Sequence, residues 1–214
     1  MFRVREYWYS GSSLTPTINM AKLIHFFEEN SCYFLTSTTY NRKPIFDNNK
    51  YAQILCNIIY NLRKKEKMLL LGFVIMPEHF HLLIVPAEKV KIPWIMQEIK
   101  KGSARLINKD RFSRAQGRAR LPELEFNKSR YSGSPLTPNK MNTNKVWMDE
   151  YYDYVIRNEK DLIKHLNYIH TNPVKRGLVE SPGKYVWSSA NPTFENDLEK
   201  LISGSGTSPI TFQS

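Results

Sequence analysis

The sequence predicts an α+β fold of the ferredoxin-like type, in which a split β-α-β-β-α-β unit forms an antiparallel sheet with helices on one face. Three observations support this prediction. Short β-branched and aromatic runs alternate with segments of helical periodicity, two apolar runs are separated only by Met76-Pro77-Glu78, and an additional helical segment follows the last predicted strand. Because a proline interrupts the ladder of a continuous strand, we expect a hairpin at this turn.

A strand, a helix and the hairpin form the first half of the unit. Residues 32–40 are rich in β-branched and aromatic side chains, which is typical of a strand. From residue 48 to residue 65, apolar side chains recur at steps of three and four, which predicts a helix with one buried face. Met68–Ile75 and His79–Val85 are the two apolar runs of the expected hairpin.

The second half contains a helix, a basic segment and a strand. Ile92–Ile107 has Pro93 in its first turn and a partial apolar stripe, which favours a helix. Residues 111–145 are rich in Ser, Pro, Asn and basic side chains without a clear period, so we expect an exposed basic loop. Val146–Ile156 has the aromatic and β-branched composition of the last strand.

The additional helix is predicted over Glu159–Thr171, because Asn158 can cap its first turn and Pro173 disfavours further helix. Tyr168 and Asn172 are four residues apart and therefore lie on one face of it. Tyr168 is offset from the apolar stripe. It is either a packing residue with a solvated hydroxyl or a phenol nucleophile for a phosphodiester.

The charge of the chain points to a polyanionic partner. The 214 residues include 31 Lys and Arg against 20 Asp and Glu, a net charge of +11. Residues 100–145 hold twelve basic and three acidic side chains, so this segment carries +9 of that charge. Two cysteines are too few for a disulfide scaffold, and no apolar run is long enough to span a membrane. We therefore expect a soluble intracellular protein.

His79-Phe80-His81 is the pattern with the clearest chemistry. Alternate residues of a strand face the same side, so the two imidazoles point together and Phe80 points away. They are either histidines satisfied by local hydrogen bonds or a pair of metal ligands. With the amide oxygen of Asn172 as a third ligand, a divalent cation would keep open positions for phosphate oxygens. Mixed nitrogen and oxygen ligands suit Mg²⁺ or Mn²⁺, although imidazoles also bind Zn²⁺, Co²⁺ and Ni²⁺.

Two blocks of the sequence resemble the REP-associated tyrosine transposases, a family named for repetitive extragenic palindromes. It belongs to the superfamily of His-hydrophobic-His single-strand DNA endonucleases. The blocks are Gly72–Ile84, which contains the histidine pair, and Tyr152–Val179, which contains Tyr168 and Asn172. The resemblance implies an N-terminal extension over residues 1–31, a transposase domain over 32–190 with the basic loop inserted, and a C-terminal tail over 191–214.

The resemblance also implies the chemistry. His79 and His81 match the paired metal ligands, Tyr168 matches the nucleophile, and Asn172 matches the third ligand. The family implies cleavage of single-stranded DNA beside a palindromic hairpin, assisted by Mg²⁺ or Mn²⁺, with a 5′-phosphotyrosine link and a free 3′-hydroxyl. A monomer or homodimer in the bacterial cytoplasm, associated with the nucleoid, is expected. Tyr154 stands where the family often has a histidine, and we assign it no role.

Five basic residues are candidates for DNA contacts, although the same side chains also suit a solvated basic face. They are Lys100, Lys101, Arg105, Lys175 and Arg176. Trp147, Tyr151 and Trp187 are either stacking surfaces for bases or core residues. Two other functions stay open at this point. One is a catalytically silent, structure-specific hairpin-binding protein, and the other is a replication initiator or relaxase-like nickase.

Overall fold

The computed structural model describes residues 31–118 and 144–203. Four strands of the described chain form one sheet in the order β2-β3-β1-β4, and every neighbouring pair is antiparallel, as the ferredoxin-like prediction requires. The elements are β1 (Tyr33–Thr38), α1 (Asn49–Lys64), β2 (Met68–Met76), β3 (His79–Pro86), α2 (Ile92–Arg118), β4 (Tyr152–Val155), α3 (Glu159–Lys175) and α4 (Leu198–Ser203). None of the described helices combines the length and apolar character needed to cross a bilayer.

One face of the sheet is packed against α1 and α2. Alternate residues of the strands, such as Leu35, Phe80 and Leu82, are fully buried there. They meet the apolar stripes of the two helices, which include Leu55 and Ile99. This closed apolar layer is the main core, and burial of its side chains stabilises the fold.

The other face of the sheet is covered by α3, the additional helix. Phe34 and Leu83 pack there against Leu162 and Ile169. Gly72 follows a bulge in β2, and a Cβ atom at this position would lie 2.7 Å from Cδ1 of Leu166. The glycine therefore lets α3 approach the sheet without displacing the Leu166 side chain.

Helix α2 is longer than predicted, because it continues to Arg118. The prediction of a basic loop from residue 111 is therefore wrong for its first eight residues. This last part of the helix is mostly exposed and has no apolar period, but side chains stabilise it. Asp110 pairs with Lys50, accepts a hydrogen bond from Tyr51 at 2.9 Å and forms an ion pair with Arg114 at 2.9 Å. Residues 119–143 of the predicted loop, and the N-terminal extension up to residue 30, lie outside the described residues.

Helix α3 passes through Pro173 and ends at Lys175, so its predicted end at Thr171 is wrong. A proline in the last turn removes one backbone donor without stopping the helix. The true end is set by Gly177, whose φ of +68° is the left-handed conformation that glycine adopts readily. Its N–H donates to the Val174 carbonyl at 2.9 Å, and the Leu178 N–H donates to the Pro173 carbonyl at 2.9 Å.

The last strand is shorter than predicted, because only Tyr152–Val155 pairs continuously with β1. Trp147 forms an isolated bridge with Thr39 instead. Its indole is buried and donates a hydrogen bond to Oγ of Ser103 at 2.9 Å. The aromatic composition of this segment thus reflects packing against α2 rather than strand pairing.

The chain after β4 and α3 returns to the outer edge of β2. The amide of Ile75 donates to the Trp187 carbonyl at 2.8 Å, and the amide of Asp197 donates to the Leu70 carbonyl at 2.8 Å. The buried carboxylate of Asp197 accepts two hydrogen bonds from Arg63, both at 2.9 Å. The segment predicted as a tail from residue 191 is therefore packed against the sheet at least as far as Asp197.

Candidate active site

The two histidines of β3 face α3, as the strand alternation predicts. Their ring centroids are 4.7 Å apart, and both side chains are almost fully buried. Phe80, between them, points to the opposite face and packs at 5.3 Å from the ring of Trp147. The alternation of the strand thus places both imidazoles on one side of the sheet and Phe80 in the core on the other.

Tyr168 and Asn172 of α3 meet this histidine pair within one chain. The ring of Tyr168 lies 5.1 Å from the ring of His81, and 37% of the residue is exposed. Nδ2 of Asn172 lies 3.3 Å from Nε2 of His81. The ring of Phe34 supports both aromatic groups, at 5.2 Å from His81 and 5.9 Å from Tyr168. The four-residue spacing on α3 therefore brings the phenol and the amide to the same imidazole.

Each imidazole has a separate partner at Nδ1. The hydroxyl of Thr36 lies 2.7 Å from Nδ1 of His81, and Oε1 of Glu78 lies 3.2 Å from Nδ1 of His79. With protons on both Nδ1 atoms, the two Nε2 atoms are left as electron-pair donors. This arrangement, a ligand histidine held by an oxygen at its other nitrogen, is the usual one around protein-bound metals.

Glu78 also connects the histidine pair to α3. Its carboxylate is buried and lies 2.8 Å from Nη1 of Arg176, one residue beyond the end of α3. Burial opposes ionisation, but the hydrogen bond from Arg176 and the charge of its guanidinium outweigh it and lower the pKa of Glu78. No local pattern in the sequence indicates this contact, because 98 residues separate the partners.

Burial favours the neutral form of both imidazoles. It lowers the pKa of His79, although Glu78 partly opposes this, and it lowers the pKa of His81 well below its ordinary value. The neighbouring His79 lowers the pKa of His81 further. Metal ligation requires the neutral imidazole, so the electrostatics of the site agree with a ligand pair.

The donor set fits a divalent cation only if Asn172 supplies the third ligand. In the described part of the chain, no three His, Cys, Asp or Glu side chains form a group that could hold a metal ion. The Asn172 amide is close enough to Nε2 of His81 to share an ion with it, since adjacent ligands of an octahedral Mg²⁺ are about 3 Å apart. Turning the amide by 180° would present its oxygen, and the two orientations are nearly the same in shape.

His165 and Tyr154 form the wall beside Tyr168. Nδ1 of His165 lies 2.9 Å from the Asp161 carbonyl and 3.1 Å from its carboxylate. The imidazole stacks on Tyr154 at 5.0 Å and contacts Phe34 at 4.8 Å. Tyr154 thus packs against the histidine that lies one turn before the candidate nucleophile.

The five basic residues predicted to contact DNA lie in two places. Lys100 donates a hydrogen bond to the Asp149 carbonyl at 2.7 Å, and Arg176 is bound to Glu78, so both have internal partners. Lys175 is exposed, with its ammonium 5.8 Å from the ring centroid of Tyr168. Lys101 and Arg105 are exposed on α2, across the sheet from the histidine pair.

The aromatic candidates for base stacking have structural contacts. Trp147 belongs to the main core, and Tyr151 and Trp187 pack against it while partly buried. The indole of Trp187 donates to Oδ1 of Asn49 at 3.2 Å. Sequence composition does not distinguish such packed aromatic residues from stacking surfaces, since both uses favour the same side chains.

Comparison with known proteins gives one family. The model of the IS200-like transposases matches residues 27–134, half of the chain, and includes both histidines. A candidate REP-associated tyrosine transposase of Haemophilus influenzae is 30% identical over 135 residues, or 60% of each chain. This chain therefore spans less than two thirds of that relative. The REP-associated tyrosine transposase of Escherichia coli is 23% identical over 181 residues, 85% of this chain and 87% of that protein.

The fold is also that of a solved relative. A REP-associated tyrosine transposase, determined bound to a REP hairpin, superposes with a TM-score of 0.55 at 21% identity. The superposition covers 91% of this chain and 92% of the other. The chain belongs to the IS200-like transposase family, and the relatives that it resembles are REP-associated tyrosine transposases.

Proposed function

We propose that this transposase cleaves and rejoins single-stranded DNA beside palindromic hairpins through a 5′-phosphotyrosine at Tyr168. The observation that supports this most strongly is the meeting of three groups from two elements. The phenol ring of Tyr168 lies against the ring of His81, and the amide of Asn172 lies against Nε2 of the same imidazole. Tyr168 and Asn172 are both on α3, and His81 is on β3. The relatives named above act as a guide to the partner, because one of them was solved with a REP hairpin.

Tyr168 is the group that we assign to attack phosphorus. The residue is partly exposed, whereas the neighbouring His79, His81 and Asn172 are buried, so Tyr168 is the one of these four that solvent and a DNA strand reach most easily. In the step, the phenol oxygen bonds to phosphorus as the bond to the 3′-oxygen breaks. Water accepts the proton of the phenol and supplies one to the 3′-oxygen, so the step has no net change in protons. A neutral phenol is a weak nucleophile, so the phosphodiester must be made more reactive.

His79, His81 and Asn172 are the residues that would hold a divalent cation, Mg²⁺ or Mn²⁺. When bound, such a cation would polarise the phosphodiester and offset negative charge in the transition state. Thr36 and Glu78 hold the two imidazoles in the orientation that leaves Nε2 available. The phosphotyrosine conserves the energy of the broken bond, so attack by the 3′-hydroxyl of a DNA strand rejoins DNA without another energy source.

Lys175 is the basic residue that we assign to the DNA backbone near the reaction. It is exposed beside the ring of Tyr168, whereas Arg176 is held by Glu78. All residues assigned to the chemistry come from one chain, so a monomer contains a complete site. A homodimer is also compatible with this arrangement.

The test is covalent capture of a labelled hairpin oligonucleotide with a single-stranded flank, with and without Mn²⁺. Wild-type protein should give an SDS-resistant adduct, and Tyr168→Phe should give none while hairpin binding is kept. Tyr152→Phe is the matched control, because Tyr152 is an exposed tyrosine (49%) on β4. It should form the adduct normally.

Three results would change the proposal. An adduct with Tyr168→Phe at the wild-type level would disprove the nucleophile assignment. Tight hairpin binding by wild-type protein, with no adduct at any Mn²⁺ or Mg²⁺ concentration, would favour a catalytically silent hairpin-binding protein. Equal cleavage of single strands that lack a hairpin would favour a relaxase-like nickase.

A further inference from the structure

The outer side of α2 carries two aromatic residues on a single line. Trp94 and Phe112 are 18 residues apart, and at 3.6 residues per turn this is five full turns, so both side chains leave the helix in the same direction. Lys101 and Arg105 follow Trp94 by seven and eleven residues and lie within about 20° of that line. We call these four residues the α2 ridge.

The α2 ridge faces away from the core. The buried side of the helix contains Ile99, Ser103 and Ile107, which lie about 140–180° around the helix axis from Trp94. Trp94 is 40% exposed and Phe112 is 64% exposed. In the part of the chain that the structure describes, neither ring stacks on another ring or on a cation. Contacts with other rings or with cations in that part of the chain therefore do not explain why aromatic residues occupy these two positions.

Trp147 shows what a structural tryptophan looks like beside the same helix. It is 5% exposed, contacts the rings of Phe46 and Phe80, and donates a hydrogen bond to Ser103. Trp94 makes none of these contacts with described residues. A single exposed apolar residue is ordinary, but two on one line with two cations between them form a pattern.

The two cations of the α2 ridge are available for a partner. Lys101 and Arg105 are exposed, and neither forms an ion pair with a described residue. Glu98 also lies on this side of the helix, exposed and without an ion pair to either of them. Lys100, by contrast, is bound to the carbonyls of Asp149 and Glu150. Of these two adjacent lysines on α2, Lys100 is bound within the protein and Lys101 is exposed to solvent.

We propose that the α2 ridge is a second binding surface for single-stranded DNA, on the sheet face opposite to Tyr168. Unpaired bases stack on exposed aromatic rings, and cations beside those rings contact phosphates. Bases in a duplex already stack on each other, so two exposed rings on one helix face favour an unpaired strand. The ridge is about 27 Å long at 1.5 Å per residue, which is enough for several nucleotides. This inference rests on the proposed DNA substrate, but not on the chemistry at Tyr168.

The experiment measures the dissociation constant of a fluorescent single-stranded oligonucleotide at several salt concentrations. Trp94→Ala and Phe112→Ala should each weaken binding about 5-fold to 100-fold, the usual loss for one stacked base, with an unchanged salt slope. Lys101→Ala should make the salt slope shallower by about one unit. Leu106→Ala is the matched control, because Leu106 is 39% exposed on the same helix but lies away from the ridge.

The outcomes separate this proposal from the proposed function. If Trp94→Ala and Phe112→Ala bind the oligonucleotide as tightly as Leu106→Ala, the ridge proposal is wrong, whatever the adduct assay shows. It is also wrong if the two variants lose affinity for a fully paired duplex but keep it for single strands. At saturating DNA both variants should still form the covalent adduct, and all four variants should melt at the wild-type temperature. Failure of wild-type protein to form any adduct would contradict the proposed chemistry and leave the binding result unchanged.

Discussion

The two sides of strand β3 are built from neighbouring residues but differ in polarity, contacts and expected role. Phe80 and Leu82 face α1 and α2 and are fully buried among apolar side chains. His79 and His81 face α3, and polar atoms of Thr36, Glu78 and Asn172 lie within hydrogen-bond distance of their ring nitrogens. One strand thus supplies stability on one side and a polar site on the other. Substitutions on the two sides should therefore change different measurements.

The largest expected effect is on the apolar side. Phe80→Ala removes a fully buried ring that packs on Trp147, so the free energy of unfolding should fall by about 3–5 kcal/mol. Urea denaturation at pH 7 measures this. Protein that remains folded should still bind Mn²⁺, because no metal ligand is changed. A loss of Mn²⁺ binding in folded Phe80→Ala would show that the two sides are not separable.

The next effect is on the polar side. His81→Ala removes one proposed ligand and should lower the rate of adduct formation by about 10²-fold to 10³-fold, the usual size of a lost charge-stabilising interaction. Affinity for the hairpin should change little. Single-turnover kinetics at saturating DNA measure the rate. Reduced hairpin binding with an unchanged rate per bound complex would contradict the assignment of His81 to the metal.

A smaller effect is expected at Glu78, which acts through His79 and Arg176. Glu78→Gln keeps the shape of the side chain but loses the charge, so the affinity for Mn²⁺ should fall about 10-fold to 100-fold. Titration calorimetry measures it, and Glu88→Gln, a change at an exposed carboxylate, should have no effect. Glu78→Asp should recover part of the affinity. An unchanged affinity in Glu78→Gln would mean that the contact with His79 does not orient the ligand.

The pH dependence of stability gives a second measure of Glu78. Its pKa is lower in the folded protein than in the unfolded chain, so its ion pair stabilises the fold above the ordinary carboxyl range, near pH 4.3. That contribution is lost as the pH falls through the lowered folded value. Metal-free Glu78→Gln should therefore lose less stability between pH 6 and the acid range than wild-type protein. If Glu78→Gln and wild-type protein lose the same free energy of unfolding over this pH range, the Glu78 ion pair does not stabilise the fold.

The smallest expected effect on Mn²⁺ affinity comes from β1, where substitutions of two neighbouring residues can be compared. Thr36→Val removes the hydroxyl 2.7 Å from His81 and should weaken Mn²⁺ binding about 5-fold, the value of one hydrogen bond. Ser37→Ala is the control on the other face, where the buried hydroxyl of Ser37 has no partner among the described residues. It should leave Mn²⁺ binding unchanged. Equal effects of the two substitutions would contradict the separation of the faces.

Periodicity explains which parts of the fold and site were predictable. Strand alternation placed His79 and His81 on one side, and helix spacing placed Tyr168 above Asn172. The end of α2 was not predictable, because an exposed helix held by Asp110 contacts has no apolar period. The continuation of α3 depends on the turn at Gly177 rather than on Pro173.

Contacts between residues that are far apart in the sequence explain the features of the site that were not predictable. Charge alone made Lys100 and Arg176 candidates for DNA contacts, whereas the structure gives both internal partners. Glu78 lay in the predicted turn, and only the fold brings Arg176 to it. The roles assigned to individual site residues stay predictions, and the family model itself ends before Tyr168.

The most direct test of a metal centre facing Tyr168 is anomalous scattering from crystals of the protein soaked in Mn²⁺. We expect one strong peak at bonding distance from Nε2 of both His79 and His81 and from the side-chain oxygen of Asn172, with the Tyr168 hydroxyl facing it. A peak elsewhere, or no peak at millimolar Mn²⁺ with an ordered site, would contradict a metal centre at this position.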